Sequence, residues 1–142
     1  MLEKFFKSKH NNTTDSKILI TALLIHAAKI DENYSNVEKQ IIKKALIDLN
    51  KISLDEVDQI IVKAEEKEME SNQIIEFTQE IKKYSMEFRL KIIEIIWKIV
   101  YSDGVSDNYE SNLIRRLCGL LYVSDKDNGI IKKKLKVHIN KI

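Results

Sequence analysis

Apolar residues recur every three or four positions along most of this chain, which is the spacing of helices that bury one face. The segment 90–100 is the most apolar part. Its polar residues, Lys91, Glu94 and Lys98, form one narrow stripe on a helix whose remaining surface, including Trp97, is apolar. Such a helix is stable in water only when other elements cover it. The pattern therefore predicts a central, buried helix.

The same periodicity predicts an all-α, compact bundle of about seven helices. The chain has no proline and 3 glycines, so residues that interrupt helices are scarce. Ser53 with Glu56, and Ser124 with Asp127, have the spacing of helix N-terminal caps. We expect helices at about 17–29, 35–50, 54–70, 73–84, 87–102, 107–122 and 125–140.

A unit of buried helix, acidic turn and second helix occurs twice. A shift of 72 positions aligns Asp31 with Asp103 and Glu38 with Glu110. The helix before each turn is apolar almost all round. Two similar units predict a pseudo-symmetric arrangement in which the acidic turns approach each other.

The acids of these turns are the main candidates for chemistry. Asp31, Glu38, Asp103 and Glu110 would supply hard oxygen ligands for Ca²⁺ or Mg²⁺, whereas Zn²⁺ more often recruits cysteine or histidine. Their positions also fit a purely structural role. Each glutamate lies three residues after a capping residue, and each aspartate follows a helix, where turn-forming Asp is common. The spacing leaves both roles open. Two further acids, Asp107 and Glu32, are candidate outer ligands.

The segment 102–110, Ser-Asp-Gly-Val-Ser-Asp-Asn-Tyr-Glu, resembles the acidic motif of the tellurite-resistance protein B (TerB) family. The resemblance covers about residues 17–135, and in the first copy Glu32 occupies the position of the motif glycine. It implies a helical domain with a metal-binding site at the acids of both turns. It also implies a role in tellurite or other chemical stress, with partners among the proteins of a stress-response assembly. The family's domain is similar to the N-terminal domain of the membrane-anchored co-chaperone DjlA, which implies a membrane-proximal setting.

Length and charge narrow the class of protein. The 142 residues suit one domain, and 44% hydrophobic residues are sufficient for a core. A net charge of +2 disfavours a nucleic-acid-binding protein. The single cysteine, Cys118, permits no intrachain disulfide and is interpreted as a small buried residue. No apolar run is long enough to span a bilayer and no export signal is evident, so we expect a cytoplasmic protein.

Charge is segregated along the chain. Residues 54–80 are strongly acidic, whereas the last helix carries several lysines beside an apolar series. Either surface could bind a partner of opposite charge, and the alternative is that both are ordinary solvated faces. The candidate partner surface consists of Glu65, Glu66, Glu68, Lys132, Lys133 and Lys134.

Residues 1–16 are predicted to precede the helical domain, which occupies 17–142. Residues 2–7 form a short basic amphipathic segment, and residues 8–16 are polar and resemble a linker. The apolar side chains of the first segment could make a peripheral contact with an anionic membrane. The interpretation we favour is that they dock on the protein's own core.

No arrangement of residues indicates catalysis. The sequence contains no serine–histidine–acid pattern, phosphate-binding glycine loop or paired-cysteine motif. His26 is interpreted as a core histidine with a hydrogen-bond partner, and Tyr101, Tyr109 and Tyr122 either edge a cleft or close the core. The sequence thus predicts a non-enzymatic domain that binds a divalent cation between two acidic turns. The alternative is a metal-free scaffold for protein interactions.

Overall fold

The computed structural model describes residues 10–30, 34–50, 53–71, 74–101 and 108–140, with side chains for 15–30, 34–49, 53–71, 74–101 and 112–135. The described residues form the predicted all-α bundle and contain no strand. None of their helices is long and apolar enough to cross a membrane. The helices are α1 (His10–Ala28), α2 (Asn36–Asn50), α3 (Leu54–Glu70), α4 (Ile75–Ile81), α5 (Met86–Val100), α6 (Asn108–Leu120) and α7 (Asp125–Asn140).

The helix boundaries follow the sequence prediction except at the start of α1. This helix begins at His10, so residues 10–16 are helical and the prediction of a linker there is wrong. Ser16 is buried, and its hydroxyl shares a hydrogen bond with the hydroxyl of Tyr84, just before α5. A tertiary contact therefore stabilises a helical segment that has no apolar periodicity. The amphipathic segment 2–7 lies outside the described residues.

Two helices form the centre of the bundle. α1 packs against α2, α3, α4 and α5, while α5 packs against α1, α2, α6 and α7. Leu24 in α1 and Ile96 in α5 are fully buried, and so are most of their neighbours. Burial of this apolar surface is the main favourable contribution to folding. The predicted central position of α5, with Trp97 in the core, is confirmed.

The two repeated units have the same packing order. In α1–α2–α3 and in α5–α6–α7, the first helix contacts the second and third, and the second contacts the third. Ile42 and Ile114 occupy equivalent positions in α2 and α6, and both are fully buried. The short helix α4 follows the first unit and packs against α1 and α6. The repeat therefore extends beyond the two helix–turn–helix segments to include a third helix in each unit.

Serine side chains fix the starts of several helices. The Oγ of Ser53 accepts a hydrogen bond from the backbone N–H of Glu56 at 3.3 Å, and the Oγ of Ser124 accepts one from Asp127 at 3.1 Å. Both predicted caps are confirmed. Ser85 caps α5 in the same way, which the sequence analysis did not identify. Each such cap stabilises the protein by about 1 kcal/mol.

α6 ends in a left-handed turn at Tyr122, whose φ is 57°. The backbone N–H of Val123 donates to the carbonyl of Cys118 at 2.8 Å, and that of Tyr122 donates to Gly119 at 3.4 Å. These two bonds define a Schellman motif. The left-handed position usually holds glycine, because a Cβ atom there costs about 1–2 kcal/mol.

Candidate functional site

Glu38 is the one predicted metal ligand whose side chain the structure describes. Its Oε1 accepts hydrogen bonds from the backbone N–H and the hydroxyl of Ser35, both at 3.0 Å. In return, the Oγ of Ser35 accepts a bond from the backbone N–H of Glu38 at 3.2 Å. The predicted capping box is confirmed. Glu38 as a whole is only 6% exposed, so its charge lies in a largely desolvated position at the positive end of α2.

Negative charge collects around Tyr34, immediately before this cap. Burial, and then the charges of Glu65 and Glu38, raise the pKa of the Tyr34 hydroxyl to about 12. The hydroxyl oxygen is buried and has no hydrogen-bond partner among the described residues. Glu65 also faces α2, where its Oε1 lies 3.7 Å from the Nζ of Lys39. Glu38 at the start of α2 and Glu65 in α3 therefore both act on a phenol whose oxygen is buried.

The other three predicted ligands lie outside the described side chains. Asp31 and Asp103 are not described, and Glu110 belongs to α6 without a described side chain. The outer candidates Glu32 and Asp107 also lie outside the described residues. Within the side chains that the structure does describe, no group of three or more His, Cys, Asp or Glu residues could hold a metal ion. The metal site at the two turns stays a prediction.

The acidic middle of the chain is largely paired within the fold. Four of the seven acids of α3 form ion pairs with lysines of α1, of α2 or of the turn that follows α1, at distances from 2.9 to 3.7 Å. More than half of the acids of α3 therefore have a cationic partner within the fold. The pairs are Glu56–Lys17, Asp58–Lys43, Glu65–Lys39 and Glu68–Lys29.

Glu68 is not the surface acid that the sequence suggested. Its side chain is 11% exposed, and its Oε1 lies 3.3 Å from the Nδ1 of His26. The predicted hydrogen-bond partner of His26 is therefore present, but the expectation of a core histidine is wrong because the ring is half-exposed at the edge of the α1–α3 contact. Of the three predicted acidic surface residues, Glu65 is half-buried and Glu66 alone is exposed.

Trp97 connects the central helix α5 to α7. Its Nε1–H donates a hydrogen bond to the Oδ1 of Asn128 at 2.8 Å, and its ring stacks on Tyr101 with centroids 5.2 Å apart. The Nζ of Lys132 lies 5.3 Å from the centroid of the Trp97 ring, as in a cation–π contact. Lys132 therefore packs on the core, whereas Lys133 and Lys134 are exposed. Asn128 is a residue that sequence periodicity could not identify.

The three tyrosines do not form one described cleft. Tyr101 is buried in the core, as one of the two interpretations proposed. Tyr122 is 66% exposed, with the Nζ of Lys82 4.8 Å from its ring centroid. Tyr109 lies outside the described side chains. Cys118 is buried as predicted, and burial, with the charge of Asp125, raises the pKa of its thiol to about 11.

These features define a small all-α domain that contains two three-helix units, whose first helices, α1 and α5, form its buried centre. The sequence model of the family described as "Tellurite resistance protein TerB" matches residues 17–133. The chain therefore belongs to the TerB family, and the resemblance noted from residues 102–110 is confirmed. Comparison with curated proteins and with solved structures gives no match.

Proposed function

We propose that this TerB-family protein is a non-enzymatic module that binds a divalent cation, preferably Ca²⁺ or Mg²⁺, between its two acidic turns. The ligands would be Asp31, Glu38, Asp103 and Glu110. The observation that supports this most directly is the burial of Glu38, an acid that is only 6% exposed at the start of α2. A desolvated carboxylate attracts a hard cation, because the cation offsets its charge.

The bound cation would link the turn after α1 to the turn after α5. Because these are the two central helices, the link would stabilise the whole bundle by mass action. It would also fix the shape of the surface beside the turns. We propose that the protein works in the cytoplasm, in a chemical-stress response or a membrane-proximal assembly, with this surface presented to partner proteins. Family membership supports this context.

The test must separate metal binding from helix capping, because Glu38 performs the second role in any case. Glu38→Gln retains the carbonyl oxygen that accepts the capping bonds and removes the charge. Asp103→Asn makes the corresponding change at the second turn. Ser35→Ala is the matched control, since it removes the cap and leaves all four carboxylates.

The measurement is the melting temperature of chelator-treated protein titrated with Ca²⁺, Mg²⁺, Mn²⁺ and Zn²⁺. We expect one cation to raise it saturably in the wild type and in Ser35→Ala, from a lower starting value in the latter. Glu38→Gln and Asp103→Asn should lose the cation effect. A melting temperature that no cation changes in the wild type would exclude the site and leave these acids as helix-end residues.

A second candidate function is a metal-free scaffold for protein interactions. It is favoured by three large apolar side chains that α3 exposes to solvent, Leu54, Val62 and Met69. Exposed apolar residues that follow one helix face are typical of contact surfaces.

A further inference from the structure

The outer face of α3 combines apolar and acidic side chains. Val62, Glu66 and Met69 lie four and three residues apart, so they share one face, and we call them the acidic stripe. Val62 is 56% and Met69 is 76% exposed, and Glu66 is also exposed. Glu66 and the nearby Glu70 form no ion pair with any described residue. This stripe keeps its charge free, unlike the acids that face α1 and α2.

The outer face of α7 has the opposite charge. Lys126, Ile130 and Lys133 have the same four- and three-residue spacing, and we call them the basic stripe. All three are exposed, Ile130 to 56%. Neither lysine forms an ion pair with a described residue. The two stripes thus present an acid between two apolar residues and an apolar residue between two lysines.

The two faces belong to equivalent helices of the pseudo-repeat. α3 and α7 are the third helices of their units. Their sequences can be aligned by matching the capping residues Ser53 and Ser124. In the first unit Lys43 of α2 pairs with Asp58 of α3 at 2.9 Å. The position in α7 that corresponds to Asp58 is Gly129, so no acid stands there. The two third helices therefore occupy equivalent places in the fold with opposite charge.

We propose that the acidic stripe of one molecule docks against the basic stripe of a second copy of this chain. The inference rests on the second candidate function and makes no use of the acidic turns. Charge complementarity selects the partner, because the acid of one stripe can pair with the lysines of the other. The apolar residues of both stripes add apolar area to the contact. The interface is heterologous, because different surfaces of the two copies meet. In a pair, one copy keeps a free basic stripe and the other keeps a free acidic stripe. Further copies can therefore add at both ends.

The experiment follows the weight-average mass of the purified full chain by analytical ultracentrifugation. At low ionic strength we expect the mass to rise with concentration above the 16.6 kDa of one chain. At about 1 M NaCl, where the screening length is about 3 Å, it should return to that of one chain. The two test variants are Glu66→Lys with Glu70→Lys, and Lys126→Glu with Lys133→Glu. Each places like charges at the interface, and we expect at least about a tenfold weaker association, a loss of about 1.4 kcal/mol or more.

Both test variants should stay folded. A lysine at position 70 lies at the C-terminal end of α3 and a glutamate at position 126 lies in the first turn of α7, where the helix dipole favours each. Matched controls reverse exposed charges away from both stripes: Asp48→Lys with Glu87→Lys, and Lys44→Glu with Lys91→Glu. Circular dichroism checks that all four proteins remain helical, and the controls should associate like the wild type.

The decisive result is the mixture of the two test variants. In the first variant both stripes are basic, and in the second both are acidic. Mixing the two variants should therefore restore association that neither shows alone. A wild type that keeps the mass of one chain at every concentration would overturn the proposal, and so would test variants that associate as the wild type does. Repeating the measurement with Glu38→Gln, in chelator, keeps this result separate from the cation site, because that variant should associate normally.

Discussion

The carboxylate of Glu68 lies 2.9 Å from the ammonium group of Lys29, across the contact between α3 and α1. This contact joins α3, the third helix of the first unit, to the central helix α1. Because Glu68 is nearly buried, removing its carboxylate leaves a half-buried cation without its partner. Glu68 thus forms a structural ion pair, although the sequence also made it a candidate for a partner surface.

We therefore expect Glu68→Ala to lower the free energy of unfolding by about 2 kcal/mol. Glu66→Ala removes the same group from an exposed position on the same helix and should change it by less than about 0.5 kcal/mol. Urea denaturation followed by circular dichroism measures both. Equal effects of the two substitutions would show that Glu68 behaves as an ordinary surface acid.

The capping box at the start of α2 gives a second prediction. Ser35→Ala removes the side chain that both accepts from Glu38 and donates to it, and we expect a loss of about 1 kcal/mol in the free energy of unfolding. Glu38→Gln in chelator should lose less, since its carbonyl oxygen can still accept both bonds. The same denaturation experiment compares them. A larger loss in Glu38→Gln than in Ser35→Ala would mean that the charge of Glu38 matters more to the fold than its hydrogen bonds.

The left-handed turn at Tyr122 can be tested with two small residues. Tyr122→Gly and Tyr122→Ala both remove the ring and its contact with Lys82, so they differ only in the Cβ atom. We expect the glycine variant to be more stable by about 1 kcal/mol, because φ is positive at this position. Glycine and alanine at exposed, helical Lys126 form the control pair, and there the order should be reversed. Equal stability of the two Tyr122 variants would contradict the left-handed turn.

Tyr34 makes stability depend on pH in the alkaline range. Its pKa rises from 10.0 to about 12 on folding, so above about pH 10 the unfolded chain loses the phenol proton before the folded chain does. The unfolded state then binds fewer protons, and stability falls between about pH 10 and pH 12. Below that window the phenol is neutral in both states and has no effect.

We expect Tyr34→Phe to remove this part of the alkaline loss. The free energy of unfolding, measured by urea denaturation at several pH values, should fall less steeply in the variant than in the wild type. Ultraviolet difference titration of the folded wild type should show one phenol that ionises late and that the variant lacks. Identical pH profiles in the two proteins would rule out the burial of this hydroxyl beside Glu65 and Glu38.

Most of the fold could be predicted because helix periodicity and capping are local properties. The caps at Ser53 and Ser124 involve residues only three positions apart, and the buried stretch around Trp97 is visible as a run of apolar residues. The start of α1 could not be predicted. Its residues 10–16 lack an apolar stripe, and the contact between Ser16 and Tyr84 joins residues 68 positions apart.

Less of the candidate site could be predicted from the sequence. Sequence spacing identified Glu38 as a capping residue but could not show that Tyr34 and Glu65 lie near it, since that depends on how α2 packs on α3. Likewise, it could not show that Glu68 and Lys132 face inward, because each points at a helix from another part of the chain. The sequence shows how many charged residues the protein has, whereas packing decides which of them remain available to a partner.

The repeated units allow the energy of one kind of interaction to be compared at two places in the same protein. Ser53 and Ser124 make the same capping bond at corresponding places, and each precedes a first turn that holds two acids. Substituting alanine at each in turn compares one interaction in two surroundings within a single chain, under identical solvent and temperature. Any difference between the two losses measures what the surroundings of each cap add to a hydrogen bond, a quantity that usually has to be inferred by comparing unrelated proteins.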